Sequence, residues 1–437
     1  MIGAAVWRVA VPAGGAALLG VFVFFYLDHP TFYAAVLTGW GVVPFRFPFL
    51  DAHAVLSAVE CAGRGLDPYL YNPCDVLSRA HVYSPLFLEA DIFPVTVAWT
   101  NVVGITLALA LVLCLASLPP PRGGREWTVM VLAALSTMTI FAIERGNNDL
   151  LVFVLMTLAC HSAQRGAAGR ATAHALILFG ACLKYYPIVA LVTALREPPR
   201  RFIAIAVTSV AIVALFIIHY HRGLAEGMAL VPSGSYFTDL FGAMNLPFGL
   251  ARLLSPLGIA MPVSRPFLAT LPWLVLLLLI VSGARQAIAG LAEGAAVARL
   301  GAAELLFLVS GAALILGCFF SGQSIGYRGI FFLLLLPGLL ARARDPADGR
   351  RFFSAAALIV FLMWGELFRE ALRHLSFANP AAMLALQIVR IVFWMLRELV
   401  WWRVIAILAE LLLGFAATSA IGMAVLGRMI QARETVQ

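Results

Sequence analysis

Charge-free apolar runs recur along almost the whole chain, and they leave few architectures open. Residues 9–27, 92–118, 127–143, 202–218, 266–284 and 305–327 contain no Asp, Glu, Lys or Arg. A spanning helix needs about 20 mainly apolar residues, and in lipid every backbone polar group must find its partner within the segment. Shorter runs, at 150–164, 329–341 and 352–365, can borrow flanking side chains that snorkel to the interface. The expected fold class is therefore all-α, a polytopic transmembrane helical bundle of about ten spans plus a re-entrant hairpin. The spans fall near 9–27, 92–118, 127–143, 149–164, 202–220, 266–284, 303–321, 327–341, 352–368 and 402–427, and the hairpin at 171–196. The whole of 1–437 reads as a single integral-membrane domain. Its N-terminus reads as a first span, because the apolar run is long and no small-residue cleavage site leads into a soluble domain.

The formal net charge of +8 does not point to nucleic acid. Arginines gather in short connections, at Arg122/Arg125, Arg165/Arg170, Arg196/Arg200/Arg201, Arg342/Arg344/Arg350/Arg351 and Arg428/Arg433. Cytoplasmic loops carry this excess of positive charge. Placing the clusters inside puts both termini in the cytoplasm and turns residues 28–91 and the Glu144 loop outward, as in a multi-pass protein of a bacterial inner membrane facing the periplasm. The stretch 171–196 lies between two basic clusters but is too short to cross twice, since 26 residues of helix reach only about 39 Å. It reads as a broken hairpin with Lys184-Tyr185-Tyr186-Pro187 at its tip.

Two outer stretches stand out. Residues 28–91 form a periplasmic loop holding Asp51, Glu60, Asp67, Asp75, Glu89 and Asp91, in which 52–64 reads as a surface helix with Asp51 in the N-cap position. Cys61 and Cys74 share this loop and can pair in an oxidising periplasm, though spacing alone does not decide it. Residues 366–401 interleave Arg369, Arg373, Arg390 and Arg397 with Trp394 and Trp401, the pattern of an interfacial amphipathic segment.

Several residues could carry chemistry. Asp51 is either a helix cap or a general base towards an acceptor hydroxyl, with Asp28 and His29 as rivals. The loop Glu144-Arg145-Gly146-Asn147-Asn148-Asp149 is either a polar turn or a set of donors and acceptors, with Arg145 open to phosphate. Lys184 is the one lysine in the chain. An ionisable group at membrane depth is a functional-site hypothesis in its own right, against the plainer reading of an interfacial snorkel. Arg328 is either an interfacial anchor or a second phosphate ligand. His53, His81, His219 and His221 show no metal-ligand spacing, so no metal site is assigned and no cofactor is expected, while the sequence leaves the need for a divalent ion open. A Walker A pattern is absent, as are Gly-x-Ser-x-Gly and His-Glu-x-x-His.

Taken in order, these motifs resemble the integral-membrane glycosyltransferases of the GT-C superfamily, most closely the bacterial polyprenol-phosphate mannosyltransferase-like group. In that group an Asp after the first span precedes a surface helix, a Gly-x-Asp-x-Tyr-like turn and a Tyr-x-Pro motif. Here these read Asp51, Gly65-Leu66-Asp67-Pro68-Tyr69 and Tyr83-Ser84-Pro85. The group's polar loop is similar to Gly146-Asn147-Asn148-Asp149, and its Lys-x-x-Pro motif to Lys184-Tyr185-Tyr186-Pro187. The chain shows Asp51-Ala52 where the group has Asp-Phe.

The resemblance implies transfer of a sugar from a polyprenyl-phosphate donor to a lipid or glycan acceptor, with inversion. Asp51 would be the base, and Lys184, Arg328 and Arg145 would meet the donor phosphate. Asn147, Asn148, Asp149, Tyr83, Tyr185 and Tyr186 would line the sugar and acceptor. A lipid-linked glycan polymerase or ligase is the nearest rival. A flippase-type transporter would need polar residues deep in several spans, where only Glu304 and Glu410 stand out.

Overall fold

The computed structural model describes residues 2–45, 47–231, 235, 237–257, 270–281, 300–346 and 348–424. In chain order its helices are α1 (Ile2–Asp28), α2 (Pro30–Gly39), α3 (Leu50–Gly63), α4 (Thr100–Ser117), α5 (Gly124–Ala134), α6 (Thr137–Arg145), α7 (Asp149–Ser162) and α8 (Gly166–Leu183). Then follow α9 (Pro199–Leu230), α10 (Asn245–Leu254), α11 (Thr270–Val281) and α12 (Ala302–Phe320). The last four are α13 (Phe332–Arg342), α14 (Gly349–Met363), α15 (Gly365–His374) and α16 (Pro380–Thr418).

The protein is a multi-pass membrane protein. Among the described residues seven helices are long and apolar enough to cross a bilayer, and eight if α14 and α15, bent by 41° at their junction, make one span. The expected spans at 149–164 and 327–341 correspond to shorter apolar helices, and of 266–284 the described part is Thr270–Val281. The Ala/Gly-rich stretch 285–299, which reads as a connector, lies outside the described residues. The hairpin expectation changes shape. Arg170 sits inside α8 rather than before it, so this helix reaches span length, and a 3-10 segment, Tyr186–Arg196, follows the break at Lys184. A long basic side chain one turn inside a helix can snorkel, so its charge does not mark the helix end.

The chain divides into two compact units. The first comprises residues 1–123, 137–188 and 206–233, and the second 124–136, 189–205 and 234–437. In the first unit α1 lies along α4, where Trp7 Nε1 donates to the Leu115 carbonyl at 3.1 Å. Tyr33, Leu37, Val42 and Ile140 form an apolar cluster with Phe22 and Tyr26 packed on it. The loop that follows α3 is folded back onto it. A disulfide joins Cys61 of α3 to Cys74, and Asn72 Nδ2 donates to Ser57 Oγ at 3.2 Å. Near its end α9 departs from helical geometry at Tyr220, and Gly223 and Gly227 then lie against the Tyr69 ring.

The second unit is built on α12 and α13, whose backbones approach closely at Gly311 and Gly338. A two-stranded antiparallel ribbon pairs Leu240–Phe241 (β1) with Ser324–Ile325 (β2), and Trp401 stacks on Phe241 at 4.3 Å between ring centroids. Residues 366–401 are the stretch expected as an interfacial segment from their arginines and tryptophans. They divide between α15 and the first part of the continuous helix α16, with Trp394 and Trp401 buried. Arg397 is buried too, because Glu366 pairs with it and Nη2 donates to the Thr238 carbonyl at 2.9 Å. A buried charge is tolerated when paired and hydrogen-bonded. Glu304, which pairs with Arg344 at 3.2 Å, and Glu410, which pairs with Arg351, are only partly buried and have partners as well.

Candidate active site

Within the first unit, Phe49 sets where Asp51 goes. Phe49 adopts a left-handed backbone at φ 66°, which costs a side chain about 1–2 kcal/mol. Two features hold it there. Its N–H donates to the Glu144 carbonyl at 2.6 Å, and its ring packs against Gly104 of α4. A Cβ at residue 104 would come within 3.0 Å of three ring atoms. On the other side Gly146, itself at φ 55°, leaves room for the Phe49 backbone and Cβ.

This docking starts α3 at Leu50 with Phe49 as N-cap, so Asp51 is the second helical residue and not the cap expected from sequence. Its carboxylate still gains from the unpaired N–H groups and the dipole of the first turn. It now stands opposite the polar loop that follows α6.

Five of the side chains picked from sequence meet there. Asn147 is fully buried and serves both sides of the site: Nδ2 donates to Asp51 Oδ2 at 2.6 Å, and Oδ1 accepts from Lys184 Nζ at 3.1 Å. The Asp149 N–H donates to the same Oδ1 at 2.8 Å, which fixes the amide orientation. Lys184 Nζ also donates to Asp149 Oδ1 at 2.6 Å, and the Tyr186 hydroxyl donates to that same oxygen. The Lys184 and Asp149 side chains are 8% and 0% exposed, so this is a buried ion pair rather than a surface snorkel.

The Tyr83-Ser84-Pro85 turn is anchored to the same corner. Ser84 Oγ donates to the Cys182 carbonyl at 2.6 Å, at the end of α8, and the Tyr83 ring centroid lies 5.8 Å from Lys184 Nζ. His81 is packed between Tyr69 and Tyr83, and burial pushes its imidazole down to about 4.

Other expected site residues are placed differently. Tyr185 points outward and is largely exposed, against a buried Tyr186. Asn148 is buried, and neither side-chain atom has a hydrogen-bond partner among the described residues. Arg145 stacks over Phe45 at 3.7 Å and Phe141 at 4.8 Å, with Nε 3.3 Å from Glu144. Its guanidinium is thus engaged in holding the loop. Arg328 belongs to the second unit, where Nη1 donates to Ser324 Oγ at 2.9 Å.

Sequence reading passed over Arg79. Its Nη2 donates to Asp75 Oδ2 at 2.7 Å and to the Leu50 carbonyl at 3.0 Å, and Nη1 lies 4.0 Å from Asp51 Oδ1. Burial works against the Asp75 carboxylate, but the Arg79 hydrogen bonds outweigh it and hold its pKa below the ordinary value. The available signal was an acid and a base four residues apart, straight after a cysteine able to tether the loop.

The sequence model of glycosyltransferase family 87 matches residues 79–321, a little over half of the 437. The matched stretch includes Arg79, Tyr83, the loop from Arg145 to Asp149, and Lys184 to Tyr186, while Asp51 and Arg328 lie outside it. No curated protein and no solved structure matches the chain significantly. With the polar loop and Lys184 inside a match of this extent, and with its row of membrane-length helices, the chain belongs to glycosyltransferase family 87, a membrane glycosyltransferase family of the GT-C type.

Proposed function

We propose that the protein moves a sugar, hexose or pentose, from a polyprenyl-phosphate carrier to a hydroxyl of a lipid or glycan acceptor, with inversion, on the periplasmic side of a bacterial inner membrane. Asp51 is the general base. Its Oδ2 is held by Asn147, which leaves Oδ1 for the acceptor hydroxyl. The acceptor proton passes to Oδ1, the acceptor oxygen attacks the anomeric carbon, and the bond to the phosphate oxygen breaks with its electron pair leaving on the carrier. Positioning a base in this way contributes typically about 10²–10⁴-fold.

Lys184 faces the developing charge on the leaving phosphate, a role that fixed cations fill well in a low-dielectric site. The observation that carries this reading is the Asn147 bridge: one amide holds the carboxylate on one side and the ammonium on the other. Asp149 and Tyr186 hold Lys184 in place, and Asn148 supplies unpartnered amide atoms for sugar hydroxyls. Arg145 acts through the loop it braces.

The test is Asp51→Asn in the purified protein, given a polyprenyl-phosphate sugar and mixed glycolipid acceptors. Turnover should fall at least 10³-fold while the thermal transition stays within a few degrees of wild type. Near-wild-type turnover in a folded variant removes Asp51 as the base.

A further inference from the structure

We infer that Arg79 is an acceptor-binding residue that, with Asp51, selects an acceptor carrying a second hydroxyl on the carbon next to the attacking one. The inference rests on the reading of Asp51 as the base and specifies what that base is offered.

The guanidinium of Arg79 is locked on two of its three nitrogens. Nε donates to Asp75 Oδ1 at 3.2 Å, and Nη2 is shared between Asp75 Oδ2 and the Leu50 carbonyl. Leu50 immediately precedes Asp51, so the fork is registered to the backbone that carries the base. Asp75 is buried, its Oδ1 accepts from the Leu77 N–H at 2.7 Å, and the neighbouring Cys74 is tied to α3 by the disulfide. Nη1 makes no hydrogen bond among the described residues. It faces Asp51 Oδ1 across 4.0 Å, on a side chain one-third exposed.

That gap is too wide for a hydrogen bond between the two groups. It suits two oxygens instead. Hydroxyl oxygens on adjacent carbons stand about 2.8 Å apart, so one can sit about 2.7 Å from Asp51 Oδ1 while the other accepts from Nη1 at about 2.9 Å. Donation to the neighbouring oxygen leaves the attacking oxygen its electron density, whereas donation to the attacking oxygen would draw density away from it.

Arg79 is on the acceptor side by geometry. In a displacement with inversion the leaving oxygen lies across the anomeric carbon from the attacking one, so a group 4.0 Å from the base adjoins the nucleophile. Charge agrees with this. Asp75 already neutralises Arg79, which suits it to an uncharged hydroxyl better than to a phosphate. The occupant is therefore a sugar-like polyol and not a simple alcohol.

Two measurements on the full-length purified protein decide the matter. Octyl hexopyranosides and their monodeoxy analogues are titrated by thermal shift without donor, and then used as acceptors with a polyprenyl-phosphate sugar. Wild type should lose at least tenfold in affinity and in kcat/KM when the hydroxyl beside the attacked one is removed. In Arg79→Gln the intact hexoside should fall by a similar factor, mainly through acceptor KM with donor KM unchanged, and the deoxy penalty should vanish. Arg79→Lys should restore part of the discrimination.

A wild type indifferent to every monodeoxy analogue in the binding titration overturns the inference, and this needs no variant to fold. So does an equal deoxy penalty in wild type and Arg79→Gln. If Asp51→Asn keeps its turnover, the base assignment fails while the donor-free binding result still judges Arg79.

Discussion

Replacing Gly104 by alanine adds one methyl group, and the structure says where its cost falls. The new Cβ would come within 3.0 Å of Cγ, Cδ1 and Cδ2 of Phe49, atoms at and next to the root of the ring. The ring cannot simply swing aside. Its backbone is held at φ 66° by the 2.6 Å hydrogen bond to Glu144, and Gly146 closes the other side. Overpacking of this kind costs about 1–3 kcal/mol. At about 2–4 °C per kcal/mol for units of 150–250 residues, the thermal transition in detergent should fall by several degrees.

Turnover should suffer more than stability. Asp51 is two residues from Phe49, and a misplacement of about 1 Å can cost about 10²-fold. The control is Gly104→Ala combined with Phe49→Ala, which removes Cγ and the ring atoms beyond it. It should recover more turnover than Phe49→Ala alone would lead one to expect, a coupling that neighbouring sites show and distant ones do not. Gly104→Ala with a wild-type transition and turnover within twofold of wild type would refute the role assigned to Phe49.

Two further outcomes follow from buried charges. Lys184→Met leaves Asp149 uncompensated in the interior and should destabilise the protein by about 3–5 kcal/mol, whereas Lys184→Met with Asp149→Leu should recover a large part of that in the same denaturation assay. An equal loss in both would mean that the pair contributes nothing beyond the lysine itself. His81 gives a pH signature: burial lowers its pKa from 6.5 to about 4, so the folded state binds fewer protons between those values than the unfolded state does. Stability from this group is complete above pH 6.5 and declines as pH falls towards 4. Between pH 7 and 5 the loss should be about 2 kcal/mol, and His81→Gln should flatten that slope; an unchanged slope would place the titration elsewhere.

Much of the fold was legible because membrane helices announce themselves by what they lack. Charge-free runs located the cores of α1, α4, α9 and α12 directly. They misjudged ends, since a charge was read as a boundary. Arg170 inside α8 shows that a charge with a route to the interface does not stop a helix. In residues 366–401 interleaved arginine and tryptophan describe an interfacial helix equally well as a buried one whose arginine meets Glu366.

In the site, single residues were legible and their pairings were not. Asp51, the loop to Asp149 and Lys184 stood out by type and position, but nothing local says that Lys184 reaches Asp149, 35 residues away. Arg79 was missed because an acid four residues from an arginine is commonplace. Its importance depends on the Leu50 carbonyl, which only the folded loop brings near.

The Asn147 amide has a directional consequence. Its amino end faces an anion and its carbonyl end a cation, so turning it over would oppose like poles at both ends simultaneously. The group is therefore polarised in one sense only, and no symmetrical substitute exists. Aspartate would repel Asp51, and leucine would take one hydrogen bond from each neighbour. One uncharged side chain keeps two charged ones sorted, and it sets which end of the site gathers protons and which gathers negative charge.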